Sequence, residues 1–93
     1  MEDNRLLAEY LVLPHMEVKQ SKTYGEYVTY ADGQYKNVWR PDQDWNQLMM
    51  VVEKILKELD EAGDWCEKLH WGLAKADIVA VYNACVEYIK QKP

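Results

Sequence analysis

The chain has 93 residues, of which 48% are hydrophobic, and a formal net charge of −5. That length closes one domain, residues 1–93, and leaves no room for a second core; the apolar fraction excludes a disordered chain. The acidic balance excludes a general binder of phosphate backbones, which needs a basic face to displace counterions.

An acidic surface is compatible with a basic protein partner or with mimicry of nucleic acid, although acidity also simply serves solubility. A domain of this size buries roughly 60–65% of its unfolded surface, so its stability is expected to be modest unless a partner or a second copy contributes. Seven Tyr and four Trp stand beside no Phe, a choice that suits half-buried positions and interfaces better than a dry core. No apolar run approaches the roughly 20 residues that span a bilayer. The start, Met1-Glu2-Asp3-Asn4, lacks the basic region of a signal peptide. With only Cys66 and Cys85, far apart in sequence, the expectation is a reduced, cytoplasmic protein.

A short helix is predicted first, from about Asp3 to Leu11. Asp3 or Asn4 is placed to cap it, Leu6, Leu7, Tyr10 and Leu11 share a face, and Pro14 closes it. His15 to Gln20 reads as a weakly alternating strand. The clearer strand signal runs from Tyr24 to Trp39 and is split by Asp32-Gly33, a pair that favours a type I′ hairpin. That loop pairs Tyr30 with Tyr35 and Val28 with Asn37. One face of the ribbon then carries Tyr24, Val28, Tyr30, Tyr35 and Trp39, and the other Tyr27, Thr29, Gln34, Lys36 and Val38. The first set is the more apolar and is expected against the helices.

The main helix is predicted from Asp42 to Ala62. Trp45, Leu48, Met49, Val52, Ile55, Leu56 and Leu59 recur at steps of three and four, and Met50 and Val51 widen the stripe. Asp42 or Asp44 supplies the N-cap, with Gln47 three residues after Asp44 as in a capping box. Gly63 supplies a left-handed stop. From Asp64 to Leu73 a third strand fits, with Trp65, Glu67, Leu69 and Trp71 on one side; a loop with one irregular turn fits almost as well. A final helix is predicted from Ala76 to Gln91, with Ile78, Val81, Tyr82, Cys85, Val86 and Ile89 inward and Asp77 near its positive end. The expected class is α+β: a small antiparallel sheet of about three strands, two long helices and a short N-terminal helix.

Candidate chemistry is sparse. Cys66 and His70 stand four apart, as two metal ligands on one helical face do, but His15 is the only other histidine and a tetrahedral site lacks its remaining ligands. Cys66 as a nucleophile needs a depressed pKa and an orienting third group, and nothing in the sequence indicates either. Cys85 sits on an apolar stripe and reads as a core residue. The four glycines are scattered turn residues rather than a phosphate loop. No catalytic residue, metal or cofactor is therefore expected.

Carboxylates gather where the main helix ends: Glu58, Asp60, Glu61, Asp64 and Glu67. Acidic groups at the negative end of a helix dipole are mildly unfavourable, so a basic partner is weighed there against the ordinary reading of a solvated surface. Tyr24, Tyr30, Tyr35 and Trp39, together with Tyr27, read as core under the helices or as a stacking platform for a ligand or nucleotide. Only Lys22, Lys36 and Arg40 are near enough to serve phosphates.

Three stretches carry a family resemblance: Asn4–Tyr10 (NRLLAEY), Asp44–Ile55 (DWNQLMMVVEKI) and Ile78–Lys90 (IVAVYNACVEYIK). In this order they resemble the phage ABA-sandwich domain family, small phage and prophage proteins mostly of unassigned function. The resemblance implies a small sheet flanked by helices. It departs where members often place a glycine soon after the first helix, since this chain continues Leu11-Val12-Leu13-Pro14. With that resemblance, the expectation is a non-catalytic protein that interferes with a host defence system, anti-CRISPR-like, by engaging a basic host protein with its acidic surface. A sponge for a small nucleotide signal, or an accessory protein of the phage particle or its replication, is the alternative. Direct binding of nucleic acid or membrane is not expected; a homo-oligomer is compatible with the sequence.

Overall fold

In a computed structural model describing residues 2–23 and 25–92, seven elements follow one another: α1 (Glu2–Leu11), β1 (Glu17–Ser21), β2 (Gly25–Asp32), β3 (Tyr35–Val38), α2 (Trp45–Ala62), α3 (Glu67–Ala74) and α4 (Ile78–Lys90). The strands form one antiparallel meander in the order β1-β2-β3, so the class is α+β as expected.

The first helix starts before its expected caps, and Asp3 and Asn4 lie inside its first turn. Asn4 is instead buried in the core. The helix ends in a Schellman turn: Val12 N–H donates to the Glu9 carbonyl and Leu13 N–H to that of Ala8, at 3.2 and 3.4 Å. Val12 holds the left-handed position, with φ 54°, where glycine is the usual residue.

The hairpin between β2 and β3 is shifted by two residues from the expected register. Asp32 pairs with Tyr35 and Tyr30 with Asn37, which makes Gly33-Gln34 the loop. Gly33 has φ 63° whereas Gln34 stays at negative φ, the pattern of a type II′ turn, so Asp32 keeps its strand conformation. Because the shift is even, each side chain keeps its face. Val28, Tyr30 and Trp39 are buried on one face, and among the described residues none on the opposite face is buried. The core lies on that one side of the sheet.

The main helix begins at Trp45. Asp44 caps it, with Oδ1 accepting from the amides of Asn46 at 2.9 Å and Gln47 at 3.3 Å. Gln47 forms no capping box: its Oε1 accepts from Arg40 N–H and its Nε2 donates to the Val38 carbonyl at 2.8 Å. It ties the end of β3 to the start of α2. Leu48, Val51, Val52, Ile55 and Leu59 are buried along the inner stripe, whereas Met50 is 40% exposed. Gly63 ends the helix at φ 67°.

From Glu67 onward the structure is helical, and this corrects the strand expected between Asp64 and Leu73. Glu, Lys, Leu and Ala are good helix formers, and helical spacing points Leu69 and Gly72 into the core. Gly72 is where α3 meets α4: a Cβ there would stand 2.9 Å from Val81 Cγ2 and 3.0 Å from its backbone nitrogen. Asp77 then caps α4, with Oδ1 accepting from Val79 and Ala80 N–H at 3.1 Å each.

A polar knot joins the layers at the centre. Asn4 Nδ2 donates to Asp42 Oδ1 at 3.2 Å, and Asn4 Oδ1 accepts from the Tyr82 hydroxyl at 2.7 Å. Trp39 Nε1 donates to the Asn4 carbonyl at 2.7 Å. Among the described residues every buried side-chain nitrogen and oxygen has a partner, as a burial cost of a few kcal/mol for each orphan demands.

Candidate functional site

The five carboxylates singled out in the sequence divide into two groups. Glu58 is part of an internal clasp. Its Oε1 accepts from the Tyr10 hydroxyl at 2.6 Å, and its Oε2 accepts from the Tyr88 hydroxyl at 3.1 Å and from Lys92. The ammonium of Lys54 lies over the Tyr10 ring, 4.4 Å from its centroid. Partial burial by itself raises the Glu58 pKa; the bonds from Lys92, Tyr10 and Tyr88 outweigh it and hold the carboxyl below its ordinary value. Burial first, and then the bond to Glu58, push the Tyr10 phenol far above its usual range. This carboxylate ties α1, α2 and the end of α4 together.

Asp60, Glu61, Asp64 and Glu67 are exposed. Asp64 Oδ1 accepts from Trp65 N–H at 2.8 Å, and Glu67 Oε1 from Trp71 Nε1 at 3.4 Å. Asp64 and Glu67 adjoin a feature that sequence patterning missed, the outer surface of α3 together with Trp65 just before it. Trp65 is 67% exposed and Trp71 59%, both extreme for the largest apolar side chain. The Trp65 ring stacks on His70 with centroids 3.6 Å apart and planes parallel. Trp65, Glu67, His70, Trp71 and Ala74 line a shallow depression of about 410 Å³. Lys75 sits 5.3 Å from the Trp71 centroid, and Lys68 is engaged by Glu87 at 3.1 Å. The helical period carries the signal that alternation hid: with Leu69 and Gly72 inward, Trp71 falls outward.

The aromatic set from the hairpin is not brought together as a platform. Tyr30 and Trp39 are buried and meet edge to face, 5.8 Å between centroids at 84°. Tyr35 is 76% exposed at the hairpin tip, and Tyr24 lies outside the described residues. A cleft of about 590 Å³ lies at the end of β2 and β3 beside Asn4, where Glu26, Arg40 and Asp42 present charges of both signs.

Cys66 stands at the N-cap position of α3 without capping it through its side chain, while the His70 ring is occupied by Trp65. Among the described residues no three His, Cys, Asp or Glu side chains are grouped to hold a metal. Cys85 is fully buried, and burial pushes its thiol up to about 12, a core thiol rather than a nucleophile. Among the described residues no helix is long and apolar enough to cross a membrane. No protein-family model, no curated protein and no solved structure matches the chain.

Proposed function

We propose that this chain is a non-catalytic binding protein that docks on a basic protein surface through the Trp65–Trp71 ridge of α3 and the carboxylates beside it. One observation carries the reading: two tryptophans are held in the open, Trp71 on the short helix α3 and Trp65 just before its N-cap. Exposed aromatic anchors are the residues that dominate interface energetics. Asp64 and Glu67 adjoin them, and with Asp60 and Glu61 at the end of α2 they supply the charge that steers a basic partner. The setting rests on the sequence resemblance alone: a phage or prophage protein that interferes with a host defence system. The nucleotide-sponge alternative has less support, because Tyr30 and Trp39 are closed into the core.

The test is affinity capture from bacterial lysate with the wild-type chain, Trp65→Ala/Trp71→Ala, and Asp60→Lys/Glu61→Lys/Asp64→Lys. Glu58 is left intact, since its carboxylate holds the fold. A single basic protein retained by the wild type, lost by both variants and released by high salt, supports the reading. Loss of a buried tryptophan anchor costs about 2 kcal/mol or more, roughly 30-fold in affinity. Capture that survives the tryptophan variant sinks the proposal.

A further inference from the structure

A three-stranded meander has two edges, and the structure treats them differently. In β3 the outward carbonyl of Val38 is taken by the Gln47 side chain at 2.8 Å, and the same side chain accepts from Arg40 N–H. The end of that edge next to α2 is covered. In β1 the direction of the outward groups follows from the ladder. Trp39 N–H donates to the Val28 carbonyl at 2.8 Å, and Ala31 N–H donates to Pro14, so Val28 addresses β3 while its odd-numbered neighbours address β1. Val18, the partner of Val28, therefore sits in a non-hydrogen-bonded pair and turns its own N–H and C=O away from the sheet. The residue is 38% exposed.

Charge along this edge is self-complementary in one register. Glu17 and Lys19 lie on the same face of β1, 3.5 Å apart, with side chains 57% and 41% exposed. If two copies of β1 pair antiparallel about a two-fold axis through Val18, the two Val18 residues face each other and exchange both backbone bonds. Glu17 then stands opposite the second copy's Lys19, twice over. These pairs fall at the non-hydrogen-bonded positions, where cross-strand side chains approach most closely. Slipping the pairing so that Lys19 faces Lys19 would set like charges opposite each other at the axis. A two-fold axis perpendicular to the sheet also leaves both helical layers on one side.

From this geometry we infer that β1 is a self-association edge, at which two chains join their three-stranded sheets into one through a Val18–Val18 contact flanked by reciprocal Glu17–Lys19 pairs. The partner is a second copy of this chain, and the inference stands independently of the tryptophan ridge. A contact of one short strand falls at the small end of interfaces, so the dimer is weak and concentration-dependent.

Sedimentation velocity of the full chain, from about 1 μM to about 1 mM as suits a small interface, tests it. The mass should rise from 11.0 kDa toward twice that value. Lys19→Glu or Glu17→Lys alone should weaken association by roughly tenfold, because two attractive pairs become repulsive. The double exchange Glu17→Lys/Lys19→Glu should restore it, because this register sets position 17 against position 19. Val18→Pro removes an amide that points to solvent in the monomer, so the fold should persist by circular dichroism while association is lost. A chain that stays monomeric throughout, a dimer indifferent to the single reversals, or a double exchange that fails to restore it would each overturn the inference.

Discussion

Asn4→Ala tests the central polar knot. The substitution removes the partner of the Tyr82 hydroxyl, held at 2.7 Å, and the donor that reaches Asp42 at 3.2 Å. Tyr82 is 9% exposed, so its hydroxyl is left nearly dry; an unsatisfied buried group costs about 1–3 kcal/mol, and the lost bond to Asp42 about 1 kcal/mol more. Alanine returns roughly half a kcal/mol through better helix propensity within α1. The net expectation is a loss of about 1.5–3.5 kcal/mol, out of a total of about 5–14 kcal/mol for a chain of this length. In a thermal melt that is a fall of about 6–28 °C, and urea unfolding should show an unchanged slope with a lower midpoint. A double-mutant cycle with Tyr82→Phe sharpens the test. With no hydroxyl left to orphan, the second substitution should cost at least about 1 kcal/mol less than it does alone. A loss under about half a kcal/mol for Asn4→Ala, or simple additivity in the cycle, refutes the knot as a source of stability.

Two further outcomes follow from local geometry. Val12→Gly should stabilise the protein by about 1 kcal/mol, read as a rise in the urea midpoint, because an exposed β-branched residue now occupies a left-handed position at φ 54° that glycine adopts without strain; no gain would show that the Schellman turn tolerates valine freely. Folding lowers the Glu58 pKa from its ordinary 4.5, so its contribution is present above that value and is lost as pH falls through the lower folded value. Glu58→Gln should therefore cost about 1–2 kcal/mol at neutral pH and converge with the wild type in acid; a gap that does not narrow as the pH is lowered contradicts the clasp.

The sequence by itself determined what is local. The main helix was legible because its stripe, its Asp44 cap and its Gly63 stop all lie within twenty residues of one another. The same holds for α4 and its Asp77 end, and the faces of the hairpin survived an error in register because the error was even. Of the candidate site, the exposed carboxylates Asp60, Glu61, Asp64 and Glu67 could be read from composition alone.

The tertiary structure decided what depends on distant partners. Alternation around Trp65, Leu69 and Trp71 fits a strand equally well, and only the packing of Gly72 against Val81 selects a helix and turns Trp71 outward. Glu58 looked like one more surface acid until Tyr10, Tyr88 and Lys92, 30 to 48 positions away, converged on it. Asn4 looked like a cap until Tyr82, 78 positions away, supplied a hydroxyl. Periodicity and capping act through neighbouring residues, whereas satisfying a buried polar group requires chain segments that only folding brings together.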